Sequence, residues 1–247
     1  MKTEKINYLI MNSDKEKVIL FLHGFQMNMH TFDNIYKYLK EYMIITLDLP
    51  GFGKSSEPLK PLSVKDYTKI VYEIVNKVAK DKELTIIAHS FGGRIAVEYA
   101  YNYKVHKIIL VNGKVLNNNE LRFKLNNYIY KIKKYYYLLF NKQKLKKLQA
   151  KRSSKDYLLL SDVMKKTFVK VVNYNPRKKL KSIKTIVYIN ASINDMQVLM
   201  KENKELYKRL ENSKLVCFYH STHFIYLEEE QRFLRILERE LRDDNSL

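Results

Sequence analysis

Ser90 lies in Ala88-His-Ser-Phe-Gly-Gly93, with small residues two places before it and two and three places after it. A serine in that setting can occupy a very sharp turn between a strand and a helix, because a larger side chain at those places would collide with the two elements. The turn lifts the hydroxyl above the strand ends and aims the next backbone N–H, that of Phe91, at the atom under attack. Ala88 stands where such turns usually carry glycine, and alanine is still small enough. Acyl transfer through a serine needs two donors aimed where negative charge develops. His23-Gly24-Phe25 closes an apolar run and can offer the second donor, the Phe25 N–H. His23 could serve as a base, but at such a turn a histidine more often holds the loop in shape, and that is the role expected here. Asp48-Leu-Pro-Gly-Phe-Gly-Lys-Ser55 is not a phosphate loop, because its glycine spacing is wrong and no helix follows at once. It reads as a tight turn with Asp48 as a hydrogen-bonding residue. The plainer alternative for the Ser90 segment is an ordinary glycine-rich strand-to-helix connection, and the nucleophile is the preferred reading.

The elements that must position these residues alternate along the chain. Val18–His23, Met43–Asp48, Leu84–His89, Lys107–Asn112, Thr185–Asn190 and Lys214–Tyr219 are continuous apolar runs, as expected of strands buried on both faces. Lys5–Met11 is a weaker strand towards an edge. Ser63-Val-Lys-Asp66 is a capping box, followed by an apolar stripe at helical spacing through Val64, Tyr67, Val71, Ile74 and Val78. Gly92–Tyr103, Val198–Leu210 and Leu227–Leu241 have similar periodicity. Strands alternating with helices predict an α/β domain, a mostly parallel sheet covered on both faces.

The chain has 247 residues and a net charge of +20. From Lys114 to Lys184 there are 21 Lys and Arg against three acids, Glu120, Asp156 and Asp162, so this segment carries nearly all of the imbalance. It begins directly after one expected strand and ends just before the next, as an inserted helical unit would. Its lysines at 131, 133, 134, 142, 144, 146 and 147 interleave with Tyr128, Tyr130, Tyr135–Tyr137, Leu138, Leu139 and Phe140. Such a helix suits peripheral contact with an anionic membrane or attraction of an acidic substrate. A solvated basic face is the plainer reading. No nucleic-acid fold motif accompanies the charge, so nucleic-acid binding is the weaker one. The single cysteine, Cys217, excludes an internal disulfide and is expected as a small buried hydrophobe. The first long apolar run, Val18–Leu22, is too short for a signal-peptide core or a membrane span, and a cytoplasmic protein is expected.

His-Gly-Phe, Asp-Leu-Pro-Gly-Phe-Gly-Lys-Ser and Ala-His-Ser-Phe-Gly-Gly, in this order and spacing, resemble the α/β-hydrolase superfamily, in its serine-nucleophile, helical-cap, esterase and lipase-like branch. The resemblance covers the two flanking blocks. Within the middle segment, only the stretch from Asp156 through Lys170 onward is similar to family members with a helical cap. The implied organisation is an α/β-hydrolase core from residues 1–112 and 183–247, with 113–182 as a basic helical cap. The family also implies an acid and a histidine after the serine, in the order Ser, Asp, His. Asp195, in the loop after Thr185–Asn190, fits the acid, although Ser192-Ile-Asn-Asp195 replaces the usual Gly-x-x-Asp approach. Asn112 occupies a place that some relatives use for the acid, but an amide does not stabilise an imidazolium as a carboxylate does. His223, after the last strand and five residues before Glu228, fits the base. His220 lies nearer the strand end and is expected to be structural, while His30 and His106 have no expected role.

The activity this resemblance implies is cleavage of a carboxylic ester or thioester through an acyl-enzyme. His223 takes the proton of Ser90, Asp195 orients the imidazole, and the Phe25 and Phe91 amides hold the oxyanion. Arg94 resembles an arginine that meets a substrate carboxylate in the menaquinone-pathway lyase of this fold, although an arginine there is also frequent in plain esterases. That lyase chemistry, and a non-catalytic relative using the fold for binding, are the alternatives. No metal cluster or cofactor motif is read, so the expected partner is a small acyl or ester substrate.

Overall fold

Side chains along the strands divide alternately between two apolar layers, and that alternation defines the sheet. The computed structural model describes residues 5–117 and 155–243, with Tyr136, Tyr137 and Lys144 between them. Its strands are β1 (Tyr8–Met11), β2 (Lys17–Leu22), β3 (Met43–Leu47), β4 (Glu83–His89), β5 (Lys107–Val111), β6 (Ile186–Ser192) and β7 (Ser213–Phe218). They form one seven-stranded sheet in the order β1-β3-β2-β4-β5-β6-β7. The β1–β3 pairing is antiparallel and every other pairing is parallel. Val18, Leu20 and Leu22 of β2 belong to one buried cluster, with Ile86, Ile108 and Leu110. Ile19 and Phe21 belong to the other, with Ile87, Ile109 and Val111. Burial on both faces explains why these strands read as unbroken apolar runs.

The helices are α1 (Asp33–Tyr36), α2 (Val64–Val78), α3 (Gly92–Asn102), α4 (Lys155–Leu159), α5 (Asp162–Val172), α6 (Met200–Arg209), α7 (Ile225–Glu228) and α8 (Glu230–Arg242). The Ser63–Asp66 capping box forms, with Ser63 Oγ accepting from Asp66 N. Helices α2 and α3 cover one face, with Val71, Ile95 and Val97 in its cluster, and α8 covers the other through Phe233, Leu237 and Leu241. Parallel strands ending together bring the loops after β2, β4, β5, β6 and β7 to one rim, the usual place for a site in such sheets.

Several expectations need correction. The helix expected over Leu227–Leu241 is two helices, parted at Glu229 (φ −125°, ψ 44°). There the Glu229 carboxylate turns back to accept from His220 N and Ser221 Oγ. Helix α6 starts at Met200 rather than Val198, because the backbone is still extended at its N-cap, Leu199 (φ −67°, ψ 142°). Strand β1 begins only at Tyr8, since Asn7 is drawn to Ser55 and Asp48. Cys217 is partly exposed on the outer strand β7 rather than buried. The short helical turns over Met29–Phe32 and α1 were not among the expected elements. About half of the basic segment, including all its interleaved lysines except Lys144, lies outside the described residues. Among the described residues no helix is long and apolar enough to cross a membrane.

One buried polar cluster ties the far end of the sheet to α8. Lys107 Nζ donates to the carbonyls of Glu240, Leu241 and Asp243 at 3.0–3.2 Å, capping the helix C-terminus with a cation. Glu240 is 1% exposed and accepts from Asn190 Nδ2 at 2.9 Å. Its other oxygen, Oε1, and Asn190 Oδ1 are both buried without a partner. Burial pushes the Glu240 carboxyl up to about 7, outweighing Asn190 and the charges of Arg239, Lys214 and Lys107. A folded-state value above the unfolded one gives stability that is present in acid and lost as pH rises from about 4.5 to about 7. Glu240→Gln removes that loss, and its amide can donate to Asn190 Oδ1. Urea unfolding should find the variant more stable at about pH 8, by on the order of 2 kcal/mol, and little changed at about pH 4.5.

Candidate active site

Ser90 follows β4 and precedes α3, at φ +47°, a left-handed conformation rare for a residue with a side chain. Three backbone hydrogen bonds hold it there. Ser90 N donates to Val111 O, and Ser90 O accepts from Gly93 N at 3.0 Å and Lys114 N at 2.8 Å. The small residues have the expected cause. A Cβ on Gly92 would meet Leu22 O at 2.5 Å, and one on Gly93 would meet Gly113 Cα at 2.9 Å. Ser90 is partly exposed while its neighbours His89 and Phe91 are buried, so the turn does lift this one side chain out.

The base and acid arrive from other strands. Asp195 lies beyond β6 and His223 beyond β7, and His223 Nδ1 sits 2.7 Å from Asp195 Oδ2. A carboxylate only accepts, so Nδ1 carries a proton and donates it to Asp195. Asp195 Oδ1 accepts from Gln197 N at 2.7 Å and Val198 N at 3.0 Å. Burial alone would raise the Asp195 carboxyl, but His223 and these two N–H groups outweigh it and hold it below the usual carboxylate range. Ser90 Oγ makes no hydrogen bond among the described residues, so the structure brings acid and base into contact and leaves the hydroxyl unlinked to them.

Two peptide N–H groups border Ser90, and their direction follows from their carbonyls. Gly24 O accepts from His23 Nδ1 at 2.7 Å and from Met27 N at 3.2 Å. The Gly24–Phe25 peptide is trans, so the Phe25 N–H points the opposite way from that carbonyl. Ser90 O is likewise tied back into the scaffold, which turns the Phe91 N–H outward. Neither N–H has a partner among the described residues. The two segments adjoin closely: a Cβ on Gly24 would lie 3.3 Å from Ser90 Cβ. His23 is the loop-holder anticipated for it. Leu49 N donates to its Nε2 at 3.0 Å, and burial pushes its pKa down to about 4, so it is a neutral ring fixed as the Nδ1–H tautomer.

Asp48 is the hub of the turn behind this loop. Its carboxylate accepts from Met29 N and Asn7 Nδ2 at 2.7 Å and from Lys54 N at 2.8 Å. A Cβ on Gly53 would lie within 2.4 Å of all three carboxyl atoms, which explains that glycine. Arg94 is buried in the first turn of α3, with Nη2 donating to Asn117 Oδ1 at 2.5 Å and Nε without a partner. Burial lowers its pKa to about 10, with Glu202 and Tyr174 opposing. Its contacts therefore run to the loop after β5, and Asn117 Nδ2 continues to Tyr174 O. His30 pairs with Asp33 at the surface and His220 is exposed.

Sequence reasoning missed His89, and it weighed Asn112 only as a place for the acid. Asn112 Oδ1 accepts from Ser192 N at 2.8 Å, while Nδ2 donates to Thr222 O at 2.8 Å and His223 O at 3.1 Å. His89 Nε2 contacts the same His223 carbonyl at 3.1 Å. The available signal was position alone: each is the polar residue at the end of a buried strand. Among the described residues no group of three His, Cys, Asp or Glu side chains is arranged to hold a metal ion.

Residues 17–192 match the family described as alpha/beta hydrolase fold. Lipase 1 of Psychrobacter immobilis is 31% identical over 132 residues, covering 46% of this chain and 41% of the lipase. The matched stretch spans about a third of the length of the mycobacterial relatives, at 32% identity. Among solved structures, an esterase from Exiguobacterium antarcticum has a TM-score of 0.76 at 18% identity, covering 97% of this chain and 96% of the esterase. MenH from S. aureus has a TM-score of 0.71 at 22% identity, covering 96% of this chain and 98% of MenH. At these identities the structural matches establish the fold.

Replacing Asp48 by Ala strands three donors that the fold has already aimed. Urea unfolding at neutral pH should find Asp48→Ala destabilised by about 2–4 kcal/mol. A loss under about 0.5 kcal/mol would mean that the turn does not depend on its carboxylate.

Proposed function

The chain belongs to the alpha/beta hydrolase fold family, and from that premise we propose that it is a serine hydrolase cleaving a carboxylic ester or thioester through an acyl-enzyme. The observation that carries this reading is the 2.7 Å Asp195–His223 pair on the same rim as a left-handed Ser90. In the proposed reaction His223 Nε2 takes the Ser90 proton as Oγ bonds to the carbonyl carbon. The Phe25 and Phe91 N–H groups receive the charge that develops on the carbonyl oxygen. His223 then returns the proton to the leaving oxygen or sulfur, and water, deprotonated by the same ring, frees the acid. Asp195 holds the ring in the required tautomer and offsets its positive charge.

Residues 113–182 act as a cap in this scheme, and part of that cap meets the site. Phe168 of α5 lies 5.1 Å, ring centre to ring centre, from Phe25, which is 5.8 Å from Phe91 and 4.8 Å from Phe52. Tyr157 of α4 extends the row, 5.4 Å from Phe168. Phe25, Tyr157 and Phe168 are each partly exposed. The row begins at the two residues whose amides hold the oxyanion, so a chain attached to that carbonyl would run beside phenyl rings. This favours an apolar acyl group.

A second reading is favoured by Arg94. Among the described residues its buried guanidinium has a neutral amide as its one hydrogen-bond partner and an unpaired Nε, which suits a substrate carboxylate and a lyase reaction.

Four measurements test these readings. Ser90→Ala should abolish turnover of p-nitrophenyl butyrate and labelling by a fluorophosphonate probe, and near-normal rates would refute the scheme. Asp195→Asn should lower kcat by roughly 10³–10⁴-fold, because the amide favours the wrong tautomer. Elimination from a succinyl-cyclohexene acid, without ester cleavage, would select the lyase instead. Phe168→Ala should lower kcat/KM for p-nitrophenyl octanoate about tenfold more than for the acetate. An equal effect on both esters would remove the phenyl row from acyl recognition.

A further inference from the structure

We propose that His89 and Asn112 are positioning residues that hold His223 over Ser90 by jointly gripping its backbone carbonyl. The inference rests on His223 being the base of a serine hydrolase. His89 is the last residue of β4 and shares a peptide bond with Ser90, while Asn112 directly follows β5. Both are fully buried. A carbonyl oxygen only accepts, so the 3.1 Å contact from His89 Nε2 fixes the proton on that nitrogen. Burial and the adjacent His223 push His89 down to about 3, which makes it a neutral ring with one N–H. That N–H is spent on His223 O, and Nδ1 is left buried and bare. The two imidazoles lie 4.6 Å apart, centre to centre.

Asn112 supplies the second donor to the same oxygen, also at 3.1 Å, and holds the two neighbouring loops as well. Its Oδ1 takes Ser192 N at the end of β6, three residues before Asp195, and its Nδ2 also reaches Thr222 O. Its φ of +45° is left-handed, which asparagine tolerates better than most residues. One amide therefore joins the strand ends that carry the acid and the base, and one imidazole joins the base to the nucleophile. The Ser90 hydroxyl makes no hydrogen bond to His223 in the resting structure. The register of base over nucleophile is thus set through the backbone, before substrate arrives. Misplacement by about an ångström can cost roughly a hundredfold in rate.

His89→Phe keeps a ring and deletes the donor, and His89→Gln restores an N–H. Asn112→Gly keeps the left-handed backbone and deletes the amide. With p-nitrophenyl butyrate, His89→Phe and Asn112→Gly should each lower kcat by roughly 10- to 100-fold while KM moves less than about threefold. His89→Gln should recover most of kcat. The double variant should fall little below the worse single one, because both changes free one carbonyl. Val75→Ala in α2 should lower the melting temperature without lowering kcat, which separates positioning from general destabilisation. Folded His89→Phe or Asn112→Gly protein with kcat within about twofold of the parent overturns the proposal, as do losses that multiply in the double variant. Should one single variant not fold, the other decides by the same criteria. If the parent neither cleaves esters nor reacts with a fluorophosphonate, the hydrolase reading fails and takes this one with it. An active parent whose variants match it sinks the grip alone.

Discussion

The carbonyl of Leu22 occupies the space that a Cβ at position 92 would need. That close approach of β2 to the start of α3 is the constraint on which the rest of the site depends. With glycine there, α3 can start directly beside the end of β2, and the chain must reverse sharply between β4 and α3. Ser90 absorbs the reversal by taking a left-handed conformation, which costs of order 1–3 kcal/mol and persists only because the surroundings over-determine it. Those surroundings are Val111 O, Gly93 N and Lys114 N, three backbone groups from the start of α3 and the end of β5. The same contact seats Gly24 against Ser90, so the loop after β2 and the turn after β4 are parts of one arrangement.

Orientation of the two free N–H groups then follows from peptide planarity rather than from any side chain pointing at the site. Each carbonyl is tied into the scaffold, Gly24 O by His23 and Met27 and Ser90 O by Gly93 and Lys114, so each N–H is presented on the far side. Burying charge near such a site is expensive, and the structure avoids it by using neutral rings. His23 and His89 are both driven far below the ordinary histidine range by burial and act as fixed donors and acceptors. Among the three buried histidines, only His223 has a carboxylate hydrogen-bonded to it. The environment thus separates chemically identical side chains into two that are fixed in the scaffold and one that is paired with a carboxylate, the one proposed as the base.

Much of this was legible in the sequence where a local pattern has one physical solution. The apolar runs give the strands, and the small residues around Ser90 give the turn, because local collisions decide both. The Ser63 capping box and the Asp48 turn were legible for the same reason. Asp195 and His223 came only through the family resemblance, since nothing in the spacing of residues so far apart says that their loops meet. His89 was missed, and Asn112 was considered only as an acid, because their contacts depend on which backbone atoms arrive from other strands. The break at Glu229 was hidden because its cause, a carboxylate turning back to Ser221 and His220, is a contact and not a propensity. Cys217 was misjudged because an apolar run does not reveal that β7 is the outer strand.

Helix α3 connects the chemistry to recognition. Its N-terminus follows Ser90, and its second turn carries Glu98, a carboxylate 1% exposed. Glu98 accepts from Tyr174 Oη at 2.6 Å and from Lys179 Nζ at 2.7 Å, with burial opposed by these partners and its pKa held low. Arg94, one turn earlier, reaches Tyr174 O through Asn117. An isolated buried carboxylate or guanidinium would be costly, so the segment 174–179 is required for α3 as much as α3 is for that segment. Helix α5, with Phe168, leads into that segment, and its Met164 packs against Gly51 beside the Asp48 turn. The phenyl row is therefore braced from both sides of the nucleophile. A change in either brace would shift the phenyl row against the Phe25 and Phe91 N–H groups, because Phe25 belongs to both the row and the loop after β2. Under the proposed reaction, selectivity for the acyl group and stabilisation of the reacting oxygen would be one mechanical problem, set by one helix and the loop that faces it.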